Sequence, residues 1–178
     1  MLCTPARLTA GVRQHVDSRE KRNLAAKVHR LLTKQLAPYG YVRGKSTFWS
    51  RPNKHVVEFI HLHLYSFAPA FRVHCGVRVL NSGFEAIALN GLHSDERHPR
   101  LSMEFSTTPD SQNECVANIT QYCTTECEAW FNEYKTIESL LSKNSPLSSD
   151  DRAALQIALA GHSNPSLLKH SQELLGVA

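Results

Sequence analysis

Alternation of apolar and polar side chains runs through Phe71-Arg72-Val73-His74-Cys75-Gly76-Val77-Arg78-Val79. Because successive side chains of a β-strand point to opposite faces, this pattern predicts a strand with one face on a core and one polar face. Residues 55–67 form a second segment that is typical of a strand, and Pro69 separates the two segments. The sequence therefore predicts two neighbouring strands of an antiparallel meander.

Further strands are predicted on both sides of this pair. Residues 41–51 favour a strand that ends at Pro52-Asn53, a turn signal. Residues 84–92 fit either another strand or a short helix, and residues 101–106 fit an edge strand. The meander should therefore contain about four to five strands.

Segments with the apolar spacing of a helix precede and follow the predicted sheet. A first helix should begin near Asp17 or Ser18 and end at Pro38 and Gly40. The apolar spacing of residues 111–142 predicts one long helix, and two shorter helices should begin at Ser148 or Ser149 and at Asn164. These elements predict an α+β fold with an N-terminal helix, an antiparallel meander and C-terminal helices packed on one sheet face.

The predicted domain organisation has three parts. Residues 1–15 are expected to be flexible, residues 16–143 to form the α+β domain, and residues 144–178 to form a helical hairpin packed on the same domain. No run of about 18 apolar residues occurs, so a membrane span is not expected. The first 14 residues lack the apolar stretch of a secretory signal, which favours a cytoplasmic location.

The five cysteines are expected to be reduced. Cys115, Cys123 and Cys127 fall on one face of the predicted long helix. This spacing favours buried small apolar side chains, and the alternative is a metal or redox role.

Charge is distributed unevenly along the chain. The formal net charge is +4, but residues 1–55 hold twelve Lys and Arg against two acids, and residues 56–178 hold eight against fourteen. Such asymmetry favours an electrostatic partner, either a nucleic acid or an acidic protein surface. The alternative is a solvated basic helix that lies near acidic helices of the same chain.

Histidines provide candidate metal ligands. His61 and His63 are two residues apart on one predicted strand, and His74 lies on the polar face of the next. If those faces coincide, three imidazoles could converge on a metal ion, and the alternative is a polar sheet face. His93 and His98 flank Asp95 in a polar segment, yet no partnered nucleophile accompanies them. The chain is therefore expected to be non-catalytic and to need no cofactor.

Cations and aromatic side chains occur together in the first predicted strand and the turn that follows it. Arg43, Lys45, Trp49, Arg51 and Lys54 could contact phosphates and stack on bases, which makes a nucleic-acid-binding module of residues 19–54 one alternative function. An ordinary amphipathic hairpin would have the same composition.

One resemblance covers roughly residues 24–80. The motifs Tyr39-Gly40-Tyr41-x-Arg43-Gly44-Lys45-x-x-Phe48-x-x-Arg51, Val56-Val57-x-Phe59-Ile60-x-Leu62 and Phe71-x-Val73-x-Cys75-Gly76-Val77 resemble a bacterial family of small uncharacterised domains. That family carries a Gly-Phe-x-Arg-Lys-Gly-x-x-Phe-x-Arg segment, from which this chain departs at Tyr41 and in the order Arg43-Gly44-Lys45. Members often lie beside toxins, so the resemblance implies an immunity protein of interbacterial competition.

The leading hypothesis is therefore a cytoplasmic binding protein that neutralises one cognate toxin by stoichiometric binding. The candidate partner-binding residues, expected on or near the non-core face of the sheet, are Trp49, Arg51, Arg72, His74 and Arg78. No metal ligand is assigned, and a metal-dependent enzyme built on the histidines is the least favoured alternative.

Overall fold

A computed structural model describes residues 17–94 and 101–177 of the chain. The expectations for the segment 1–15 and for Asp95 and His98 lie outside the described residues.

The first helix, α1, spans Ser18–Leu36. The carboxylate of Asp17 caps it by accepting a hydrogen bond from the backbone N–H of Arg19. A 3-10 turn, Ala37–Tyr39, follows, and Gly40 ends the helical segment with a φ of 82°. A left-handed glycine is a common helix stop, so both predicted helix boundaries are confirmed.

Four strands form the sheet of the described residues: β1 (Val42–Lys45), β2 (Phe48–Asn53), β3 (Val56–Leu64) and β4 (Phe71–Val79). They pair antiparallel in the order β1-β2-β3-β4, which confirms the predicted meander. Residues 41–51 are not one strand, because the chain turns at Ser46 and Thr47. The next turn lies at Lys54 and His55, two residues after the predicted Pro52-Asn53.

Two expected strands are absent from the described residues. Residues 84–92 have no regular secondary structure, and residues 101–106 contribute an isolated bridge between Ala70 and Glu104. Both segments lie along the free edge of β4, where Leu92 and Met103 accept backbone hydrogen bonds from Cys75 and Phe71. Single bonds of this kind cover a sheet edge without extending it.

The C-terminal half begins with α2 (Pro109–Tyr122), a π-helix (Cys123–Cys127), α3 (Glu128–Glu133) and α4 (Ile137–Leu141). The single long helix predicted over residues 111–142 is therefore wrong. The hydroxyls of Thr124 and Thr125 donate to the carbonyls of Thr120 and Gln121 where the helix widens. Thr136 then caps α4 as a separate helix.

Two further helices, α5 (Ser149–Leu159) and α6 (Pro165–Leu175), complete the described chain. Their predicted caps, Ser148 and Asn164, accept hydrogen bonds from the backbone N–H groups of Asp151 and Ser166. None of the helices in the described ranges has the length and hydropathy required to cross a membrane.

Helices cover both faces of the sheet. The main core joins α1, α2 and one sheet face, with Leu32, Ile60 and Ile119 fully buried in it. On the opposite face Leu175 of α6 packs on Val57 and Phe59. The α+β fold is confirmed, but the helices do not share one face, because the outer face of β3 carries apolar residues that also require cover.

The cysteines that the structure describes are buried free thiols within the core. Donation of a hydrogen bond from the Cys75 thiol to Cys127 raises the pKa of Cys75, and burial raises it further. Burial raises the pKa of Cys115 to about 12. Cys75 and Cys115 are therefore protonated at neutral pH. The burial of Cys115, Cys123 and Cys127 agrees with the prediction from their helical spacing.

Candidate binding face

The strand register assigns each side chain to one of the two sheet faces. Trp49 pairs with Ile60, so both point towards α1 and the main core. Phe48 pairs with His61, and His61 pairs with His74, so these three share the outer face. Paired residues in a sheet share a face, which makes the register sufficient for this assignment.

One half of the outer face is closed. Arg78, only 5% exposed, donates hydrogen bonds to the Ser171 hydroxyl at 2.9 Å and to the Ala86 carbonyl at 2.6 Å. Its Nη2 also donates to the carbonyl of Phe84. This guanidinium therefore binds α6 and the segment after β4 to the sheet.

Among the residues that the structure describes, no helix crosses the other half of the outer face. We call it the open patch, and it consists of Phe48, His61, His63, Tyr65, Arg72 and His74. Phe48 forms its border, because this ring also packs against Phe59 of the closed half. Rings of neighbouring strands stack across it: Phe48 on His61 at 4.4 Å between centroids, and His61 on His74 at 5.9 Å. His93 extends the row beyond His74 at 5.7 Å.

The two central imidazoles of the open patch are uncharged at neutral pH. Burial, followed by the nearby His63, lowers the pKa of His61 to about 4. Burial also lowers the pKa of His74 to about 4, with contributions from His61, His93, Arg72 and His63. The patch therefore has low charge, and its one guanidinium belongs to Arg72.

Aromatic contacts position that guanidinium at the end of the patch. The Nε–H of Arg72 donates to the Tyr65 hydroxyl at 2.9 Å, and its guanidinium carbon lies 5.3 Å from the ring centroid. Tyr65 also contacts Phe67, whose side chain is 83% exposed. The patch thus continues into a solvent-exposed phenyl ring.

Trp49 does not lie on the outer face of the sheet, contrary to the sequence-based expectation. It is fully buried, and its indole Nε1–H donates to the Thr33 hydroxyl at 3.1 Å. The alternation in β2 places Phe48 outside and Trp49 inside, because the larger ring fills the space beneath α1.

Arg51 also lies on the core side of the sheet. It forms ion pairs with Glu58 at 2.7 Å and Glu128 at 3.0 Å, and its guanidinium lies 4.6 Å from the Tyr41 ring centroid. These contacts join β2, β3 and α3, so the role of Arg51 is internal. Arg78 is likewise internal, which leaves Arg72 and His74 on the open patch.

The histidines predicted as possible metal ligands do come to one face, but as a stack. Ring nitrogens have their lone pairs in the ring plane, so stacked imidazoles do not direct them at one point. His63 pairs across the strands with Arg72 instead of another histidine. In the ranges 17–94 and 101–177, no group of three His, Cys, Asp or Glu residues is arranged to hold a metal ion.

Sequence reasoning missed Phe48, Tyr65 and Phe67 as surface residues. The alternation of β3 placed Tyr65 beside His61 and His63, but only the register of β2 shows which of Phe48 and Trp49 joins them. The exposure of Phe67 depends on the turn before Pro69, which periodicity does not describe.

Comparison of the chain with protein-family models, with curated proteins and with solved structures found no match.

Proposed function

We propose that this chain is a non-catalytic binding protein that acts in the cytoplasm and holds one protein partner against the open patch. The observation that supports this proposal is the composition of the patch: two aromatic rings, three imidazoles and one guanidinium, without Lys, Asp or Glu. The centres of protein–protein interfaces are enriched in aromatic residues and Arg and depleted in Lys, Glu and Asp.

Desolvation favours the same conclusion. His61 and His74 are neutral at pH 7, so covering them does not require a buried charge. Phe67 and Arg72 match the aromatic and Arg anchors that dominate binding energy in interfaces. A standard interface takes about 800 Å² from each partner, so we expect contacts to continue onto the Ser46–Thr47 turn and the loop around Ser66.

We further propose that the partner is a cognate bacterial toxin, neutralised by direct stoichiometric occupation. The resemblance of residues 24–80 to domains found beside toxins supports this identity. Occupation of a toxin surface requires a rigid face and no catalytic group, and a four-stranded sheet backed by two helices can supply such a face.

The test begins with capture of the partner by the tagged full chain from nuclease-treated lysate of the native host. The captured protein is then expressed alone and together with this chain. We expect growth arrest in the first case and rescue in the second. A captured protein that is harmless when expressed alone would refute the toxin identity.

Two matched pairs of variants locate the interface. His63→Glu and Arg72→Glu change the open patch, whereas His162→Glu and Lys143→Glu introduce the same side chain at exposed sites elsewhere. We expect each patch variant to weaken binding about tenfold or more and each control to leave it unchanged. Equal affinities for all four, with unaltered circular dichroism, would exclude the open patch as the interface.

A further inference from the structure

The outer face of α1 carries a row of cations. Arg19, Lys27, Arg30 and Lys34 are exposed and follow the spacing of a single helical face. This row, which we call the basic stripe, lies opposite the buried Leu24 and Val28 and extends for about 22 Å.

The helix α1 holds six Lys and Arg residues against one acid, the exposed Glu20. Within the described ranges, none of the four side chains of the basic stripe has an ion pair or hydrogen bond with another residue. Arg43 lies near one end, where burial and the charge of Arg30 lower its pKa. Arg43 donates to the carbonyl of Ser46 and not to a carboxylate, so it adds a fifth positive charge to the same region.

The side chains between these cations are small or polar, apart from Leu31. Ala26 and Thr33 are half-buried, Asn23 is exposed, and Leu31 packs against the main core. The basic stripe therefore lacks the apolar centre of a protein interface. Contact with a phosphate backbone requires cations and no apolar centre, which favours a polyanion over a folded acidic protein.

The position of the aromatic residues distinguishes duplex from single-stranded nucleic acid. Single-strand binding uses aromatic rings on which bases stack. Trp49, the ring that the sequence placed beside these cations, is fully buried, and the rings of the open patch lie on the opposite sheet face. The helix α1 contains no Phe, Tyr or Trp, and the exposed Tyr39 lies beyond its end, so the basic stripe itself can contact phosphates but carries no ring on which bases can stack.

We propose that the basic stripe of α1 binds the phosphate backbone of double-stranded nucleic acid without sequence preference. This site is separate from the proposed protein-binding patch, since α1 and the open patch lie on opposite faces of the sheet. The two surfaces approach each other at the start of α1, where Lys21 donates to the carbonyls of Tyr65 and Ser66.

The test measures binding of the full chain to a labelled DNA duplex of about 20 base pairs by fluorescence anisotropy across a salt series. Four phosphate contacts predict a slope of log affinity against log salt between about −3 and −4. The affinity should fall about a hundredfold between about 50 and about 200 mM salt. Absence of duplex binding at about 50 mM salt would overturn the proposal.

Two double variants, each of which removes two positive charges, identify the nucleic-acid-binding site. The double variant Arg30→Gln/Lys34→Gln should reduce the steepness of the slope by about two, and Lys135→Gln/Lys143→Gln should leave it unchanged. Equal slopes for both variants would place the contacts elsewhere. Tighter binding of a single strand with the same number of phosphates, or equal competition by poly-glutamate, would also overturn the proposal.

Discussion

Arg78 and Ser171 lie 93 residues apart in the chain, and the Nε–H of the arginine donates to the serine hydroxyl at 2.9 Å. The contact joins the outer face of β4 to α6, and it is buried at both ends. It holds α6 over the closed half of the outer face.

Replacement of Arg78 by methionine should destabilise the fold. Three acceptors, on Ser171, Ala86 and Phe84, lose their donor, and hydrogen bonds from a charged group contribute about 1.5–3 kcal/mol. We expect the free energy of unfolding in urea to fall by about 2–3 kcal/mol. Lys169→Met, at an exposed site on α6, is the control, and equal urea midpoints for the two variants would contradict this account.

Replacement of Gly44 by alanine should displace the C-terminal end of α6. A Cβ at this position would overlap the backbone carbonyl oxygens of Leu175 and Gly176, and backbone atoms cannot move aside as a flexible side chain can. We expect a loss of about 1–3 kcal/mol and faster hydrogen exchange in α6. Gly83→Ala, where a Cβ would meet nothing within 4 Å, should change neither quantity.

Arg51 should be coupled energetically to Glu128. Arg51→Met leaves Glu58 and Glu128, 14% and 23% exposed, without their cation, and we expect a loss of about 1–3 kcal/mol. Glu128→Gln removes one of the two carboxylates that lose their cation. The double variant Arg51→Met/Glu128→Gln should therefore be more stable than the sum of the two single losses predicts. A double-mutant cycle in urea measures this coupling, and strictly additive losses would show that the pair does not interact.

Stability should fall as the pH drops below neutrality. The pKa values of His29, His61 and His74 are each lowered to about 4 from the ordinary value of 6.5, mainly by burial. Between these values the unfolded chain binds more protons than the folded chain, so the free energy of unfolding is fully retained above about pH 6.5 and decreases towards about pH 4.

Urea unfolding at about pH 7 and about pH 5 tests this pH dependence. The variant His61→Gln/His74→Gln should lose less stability between the two pH values than the wild type, since only His29 of the three remains. An equal loss in both proteins would show that the open patch does not contribute to the pH dependence.

Local chemistry in the sequence predicted most of the secondary structure. Three helix starts can be recognised in the sequence, at Asp17, Ser148 and Asn164. Their side chains accept hydrogen bonds from free backbone N–H groups in the first turn of the helix. The strand β4 follows from its period-two alternation. These signals depend on residues that are close together in the chain. They can therefore be recognised without knowledge of the tertiary structure.

The interruption of the long predicted helix shows a feature that apolar spacing does not predict. Apolar residues continue through the π-helix Cys123–Cys127, so their spacing alone does not reveal the change of helix type. The helix is interrupted by local hydrogen bonds: those of the Thr124 and Thr125 hydroxyls, and the cap at Thr136 that starts α4. These hydrogen bonds with the backbone compete with helix continuation, which apolar periodicity does not measure.

The sequence by itself determined the α+β class, the helix caps and the strand that brings Arg72 and His74 to one side. Tertiary structure alone decided that Trp49 is core, that Arg51 and Arg78 are internal, and that the candidate binding surface is half of one sheet face. The reason is physical: alternation shows that two residues differ in face, but burial depends on what packs against each face. That packing comes from α1 and α6, elements more than 100 residues apart in the chain.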